Sequence, residues 1–114
     1  MHNFPPKIIP LEPHQELQII KLKQQAQLLS KYTLVEMIAK NARQAYVNQN
    51  RIESRLDLTF EQELHLKAVD KYYQEYPHEV LAQAAIFYLH RNLLFENMVV
   101  YQEQQRNHEK YNSF

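Results

Sequence analysis

The chain has six histidines, thirteen carboxylates and no cysteine. Metal binding or proton transfer therefore falls to imidazole and carboxylate, and disulfides, thiolate catalysis and Cys-ligated zinc are excluded. Di-iron helical bundles take a Glu-x-x-His pair from each of two helices, a spacing that sets both ligands on one face. The single Glu-x-x-His, Glu75 to His78, is interrupted by Pro77 and has no second copy on another helix. Glu61 and His65 are four apart, as are Glu63 and Lys67; on a helix such pairs share a side and stabilise it by about 0.2–0.5 kcal/mol. His14 and His78 fall near expected helix starts, His90 stands beside Arg91, and His2 and His108 lie in the ends. They form no ligand set, and no metal or cofactor is expected. Ser30, Ser54 and Ser113 fall at a cap, a helix end and a tail, none next to a His and a carboxylate. With no glycine to expose a backbone oxyanion hole, nucleophilic catalysis is disfavoured, and the chain reads as a non-enzyme.

The absence of glycine also removes the residue on which tight hairpins, P-loops and dinucleotide-binding turns depend. One compact domain is what 114 residues can build, and a composition rich in Gln, Leu, Glu, Lys and Ala points to an all-α fold. Thirteen basic side chains balance the thirteen acidic ones, so the basic excess that neutralises phosphates is missing and no nucleic-acid partner is expected. The start, MHNFPPKIIPLEPH, has no apolar segment of signal-peptide type. The longest apolar run, Ala84 to Leu89, is far short of the roughly 20 residues that span a bilayer. A cytoplasmic location is the expectation.

The elements follow from periodicity and punctuation. Pro5, Pro6 and Pro10 make residues 1–12 an extended arm. Pro13 suits a first helical turn, and Ile19, Leu22, Ala26 and Leu29 then step by three and four along one face. Ser30 can cap a second helix, from about 31 to 56, with Leu34, Met37, Ile38, Ala42, Ala45, Ile52 and Leu56 inward. Thr59 and Gln62 have capping-box spacing. The third helix runs to Tyr76 with Leu66, Val69, Tyr73 and Tyr76 on its face, and Pro77 opens a fourth that reaches about Arg106. Residues 107–114 are expected to fray. The expected domain is thus 13–106, built from the hairpins 13–56 and 58–106 folded into a four-helix bundle.

A shift of 47 residues lays the first hairpin on the second. Gln15-Glu16-Leu17 falls on Gln62-Glu63-Leu64, and Ser30 falls on Pro77. Forty-seven is close to a whole number of helical turns, so phase alone would agree. Coincident starts and turns do not follow from phase, and an internal duplication explains them.

Aromatic residues gather as Tyr72, Tyr73 and Tyr76, then Phe87, Tyr88 and Phe95, opposite small residues such as Ala82, Ala84 and Ala85. Rings against alanines make a close-packed core rather than a pigment pocket. The fourth helix carries apolar residues beyond one packing stripe: Leu94, Met98 and Tyr101 form a second one. Left wet, it forgoes about 25 cal/mol per Å² of apolar area, and exposed stripes mark contact surfaces. Phe4, Ile8 and Ile9 in the proline-rich arm form a candidate second contact, since a pre-extended segment loses little entropy on binding.

Leu58-Thr59-Phe60-Glu61-Gln62-Glu63-Leu64, followed by His78-Glu79 and a long last helix, resembles the small phycobilisome degradation proteins of cyanobacteria and red-algal plastids, the NblA-like family. The likeness covers about forty residues. It implies a helical hairpin that pairs with another into a four-helix bundle, here within one chain as a pseudo-dimer. It also implies a non-enzymatic adaptor that engages phycobiliproteins and helps deliver them to a Clp-type protease, in the cytoplasm, at the thylakoid periphery or in the plastid stroma. The segment from Tyr101 to Phe114 lacks the Trp-bearing end associated with many members. Two further readings stand beside it. One is a homodimeric scaffolding protein. The other is a DNA-binding regulator using Lys40, Arg43, Arg51 and Arg55 on the outer side of the second helix, diluted by Glu36 and Glu53.

Overall fold

A computed structural model describes residues 9–112, residues 109–112 by their backbone alone. It is an all-α four-helix bundle with no strand among the described residues. The elements are α1 (Pro13–Gln25) with a 3-10 turn at Ala26–Leu28, α2 (Lys31–Ile52), α3 (Phe60–Tyr72) with a 3-10 turn at Tyr73–Glu75, and α4 (His78–Asn112).

Local chemistry sets the starts. Ser30 Oγ accepts from the Thr33 amide at 3.1 Å. Thr59 Oγ1 accepts from the Gln62 amide at 3.2 Å while Gln62 Oε1 accepts from the Thr59 amide at 2.8 Å, a reciprocal box that satisfies two otherwise free donors. α1 opens with a second such box between Glu12 and Gln15. At Pro77 the ring stands one place before the helix, and its carbonyl accepts from the Val80 and Leu81 amides.

The 47-residue interval holds in three dimensions. α1 and α3 begin at Pro13 and Phe60, the 3-10 turns at Ala26 and Tyr73, and α2 and α4 at Lys31 and His78. Core positions match too: Ile19 with Leu66, Leu22 with Val69, Leu34 with Leu81, Val35 with Ala82, and Ile38 with Ala85 are all buried. Packing differs from the expected hairpins. The long helices α2 and α4 form the central pair, α1 packs chiefly on α4, and α3 packs chiefly on α2. Each short helix therefore leaves its own long helix for the other repeat's. The reason is steric: the 3-10 turn followed by an extended cap residue (Leu29 at ψ 147°, Tyr76 at ψ 152°) splays the two helices it joins.

α2 and α4 run in the same direction. His78 Nε2 meets the Leu29 carbonyl at 2.8 Å at one end, Asn92 lies between Asn41 and Asn48 in the middle, and Arg51 pairs with Glu103 at the other. Amides line this seam. Asn48 Nδ2 donates to Asn92 Oδ1 and Asn92 Nδ2 donates to Asn41 Oδ1, both at 3.0 Å. Gln44 Nε2 donates to Asn48 Oδ1 at 3.3 Å, and Asn41 Nδ2 to the Met37 carbonyl at 3.0 Å. A second amide pair ties α1 to α4, with Gln15 and Asn97 exchanging two bonds of 2.8 Å.

Three boundary expectations are corrected. α2 ends at Ile52 rather than near 56, and Leu56 is 99% exposed rather than inward. The chain turns there through Ser54 at φ 60°, with the Arg55 amide donating to the Asn50 carbonyl at 2.8 Å and the Ser54 amide to that of Arg51 at 3.4 Å, a Schellman closure usually built on glycine. Tyr76, expected inward, is exposed. The tail does not fray at Arg106: α4 continues to Asn112, since Gln, Glu, Arg and Lys are good helix formers and no breaker intervenes.

Two stability outcomes follow. Ser54→Gly removes the left-handed strain of a residue with a Cβ and raises unfolding free energy by about 1 kcal/mol, read as a higher urea midpoint at unchanged slope. Asn92→Leu strands the amides of Asn41 and Asn48 and lowers stability by about 1–3 kcal/mol for each stranded group, measured the same way.

Candidate functional site

Where α2, α3 and α4 converge, a polar-aromatic cluster fills the space. Its centre is His65 on α3, with Tyr46 of α2 edge-on at 5.8 Å between ring centroids, Tyr73 at 6.5 Å and Tyr88 of α4 at 5.6 Å. The Tyr88 hydroxyl and His65 Nε2 are hydrogen-bonded. Burial, with the charge of Arg91 nearby, holds the imidazole below its usual pKa, and burial together with Tyr73 and Tyr46 pushes the Tyr88 phenol up. At neutral pH both partners are therefore uncharged, and the ring tautomer decides which of them donates. Arg91 lays its guanidinium over the rings of Tyr46 and Phe95, 5.9 and 5.1 Å from their centroids. Its nearest polar contact is Gln49 Oε1 at 3.5 Å, and its Nε is buried with no hydrogen-bond partner. Among the described residues no carboxylate lies within ion-pair distance of it.

The cluster joins the expected aromatics Tyr73, Tyr88 and Phe95 to three residues that spacing did not single out: Tyr46, His65 in this role, and Arg91. Each sits on a different element, so no local pattern links them. Tyr72 and Phe87 lie outward instead, both more than half exposed. No group of three His, Cys, Asp or Glu able to hold a metal occurs among the described residues.

The second stripe of the last helix divides. Met98 is only 8% exposed, so it belongs to the chain's own packing and is not the open contact that its spacing suggested. Leu94 and Tyr101 are half-buried. Leu94 lines an open groove of about 550 Å³ between α1 and α4 with Pro10, Leu11, Ile19, Ile20 and His90. Ile9 is half-buried and, with Tyr101, borders the cleft over Gln15 and Asn97. Phe4 and Ile8 lie outside the described residues.

The open part of the stripe lies upstream. Val80, Ala84, Phe87, Arg91, Leu94, Met98 and Tyr101 alternate steps of four and three, the spacing of a coiled-coil seam. Val80 is 42% and Phe87 55% exposed. The equivalent outer positions of α2, 47 residues earlier, are Thr33, Lys40 and Val47 opposite Val80, Phe87 and Leu94, and Ser54, in the turn after α2, stands opposite Tyr101. At the first two of these positions α4 is apolar where α2 is polar, Val80 and Phe87 against Thr33 and Lys40, while Val47 is itself apolar and 38% exposed. Of the basic residues on α2, Arg51 pairs with Glu103 and Arg55 with Glu53 at 3.3 Å, which neutralises half of the stripe a DNA backbone would need. Another open groove, about 760 Å³, lies by Lys31, Glu36, Lys40 and Asp70 and mixes both signs of charge.

Comparison of the chain with protein-family models, with curated proteins and with solved structures gave no match. No described helix is long and apolar enough to cross a membrane.

The cluster makes folding pH-dependent with a definite sign. His65 takes up a proton less readily folded than unfolded, so stability is full above the ordinary histidine pKa of about 6.5 and falls as pH drops below it. Unfolding free energy of the native chain is expected to decline between about pH 7 and pH 5, and a His65→Gln variant to show a shallower slope over that window in urea titrations.

Proposed function

We propose that the chain is a non-catalytic helical adaptor that docks a client protein on the outer face of α4. The observation that carries this reading is the asymmetry between the two halves: matched in helix starts, turns and much of the core, they differ where α4 exposes Val80 and Phe87 and α2 has Thr33 and Lys40. Folding alone gives no reason to keep Phe87 more than half exposed, since a polar residue serves the matching site on α2. Apolar anchors ringed by polar residues are how such faces bind. The groove with Ile20 and Leu94 continues the same surface toward α1.

The resemblance of Leu58–Leu64 and the helices after it to the phycobilisome degradation proteins names a client class, phycobiliproteins, and a destination, a Clp-type protease. Tethering is the mechanism: one face holds the client and the remaining surface meets the larger assembly in the cytoplasm or plastid stroma. The test is affinity capture with the native chain and a Val80→Glu/Phe87→Glu variant as bait for purified phycobiliproteins. The native chain is expected to retain material with bilin absorption and the variant, of unchanged helicity, to lose it about tenfold or more. Equal retention by both, or none by either, contradicts the reading.

A further inference from the structure

We propose that the α4 seam from Val80 to Leu94 receives an amphipathic helix of another protein that presents a carboxylate to Arg91, and that it does not receive a second copy of this chain. The inference rests on the docking reading above and specifies the partner's chemistry. The four-three alternation of Val80, Ala84, Phe87, Arg91 and Leu94 suits knobs from a helix, because only a helix returns side chains to one side at that interval. The fifteen residues from Val80 to Leu94 span about 21 Å, four turns, at a rise of 1.5 Å per residue.

Arg91 is the only charged position on this seam. Its guanidinium lies over the rings of Tyr46 and Phe95, meets the Gln49 amide oxygen at 3.5 Å, and has no carboxylate within ion-pair distance among the described residues. Ring stacking fixes the plane of the fork beforehand, so pairing it with a carboxylate loses little conformational freedom. A covering helix excludes water, and a guanidinium so covered needs a counter-charge. The same seam of a second copy supplies none. No residue of the seam from Val80 to Tyr101 is acidic. Parallel self-pairing sets Arg91 against Arg91, and antiparallel self-pairing about Phe87 sets it against Ala84. A single charged seam position of this kind selects partner and register together.

The probes are three synthetic helical peptides with one apolar seam and a central Glu, Gln or Lys, titrated into the 15N-labelled full chain. The Glu peptide is expected to shift amides of residues 80–94 and to bind at least about tenfold tighter than the Gln peptide, with the Lys peptide weakest. Arg91→Gln is expected to erase the preference for Glu and Arg91→Lys to retain part of it, each checked by circular dichroism for an intact fold. Sedimentation of the peptide-free chain is expected to show no dimer that Phe87→Glu disrupts. Equal binding of the three peptides at residues 80–94 overturns the carboxylate assignment and leaves docking on α4 standing. Absence of any shift there, or a native dimer held through Phe87, overturns both.

Discussion

Everything in this molecule depends on the amide contacts along the α2–α4 seam. Two parallel helices lined with alanine and leucine can slide past each other by a turn at little cost, since apolar packing has no direction. Asn92 removes that freedom. It accepts from Asn48 and donates to Asn41, and a slip of one turn breaks both bonds, which join buried Asn48 and half-buried Asn41 and Asn92, at about 1–3 kcal/mol for each buried group left unpaired. The Gln15–Asn97 exchange does the same for α1 against α4. Register so fixed decides which faces of α4 are covered and which remain open.

Parallel pairing of the long helices and exchange of the short ones accompany the 47-residue match between the two halves. Two repeats with matching capping boxes and 3-10 turns present the same apolar face twice. A near-two-fold arrangement buries both faces at once: α2 against α4, then each short helix in the remaining groove of the opposite long one. Ser54 and the Asn50 side chain, which donates to the Asp57 carbonyl, turn the chain from one repeat into the next. The two long helices then point the same way, and their outer surfaces differ at Val80 and Phe87 of α4 against Thr33 and Lys40 of α2.

Much of this was legible in the sequence. Helix starts were, because Ser30, Thr59 and Gln62 have few other uses at those spacings, and so was the buried face of α1, from Ile19 to Ala26. The partner of each helix was not. Periodicity tells which side of a helix is apolar and says nothing of what covers it, so neighbours in sequence were paired as hairpins when the repeats exchange. The same gap misplaced the open stripe. Met98 and Phe87 sit on one seam with similar hydrophobicity, and only the three-dimensional arrangement shows Met98 covered and Phe87 bare. The amide network escaped notice because Asn and Gln on a helix read as solvent-facing. The His65 cluster escaped because its members come from α2, α3, α4 and the turn after α3.

The parallel, amide-locked pairing of α2 with α4 is tested most directly by nuclear Overhauser contacts from the Asn92 side-chain amide protons. The account predicts contacts to the side chains of both Asn41 and Asn48, with slow exchange of those protons with solvent. Fast exchange, or contacts linking the start of α2 to the far end of α4, would contradict it.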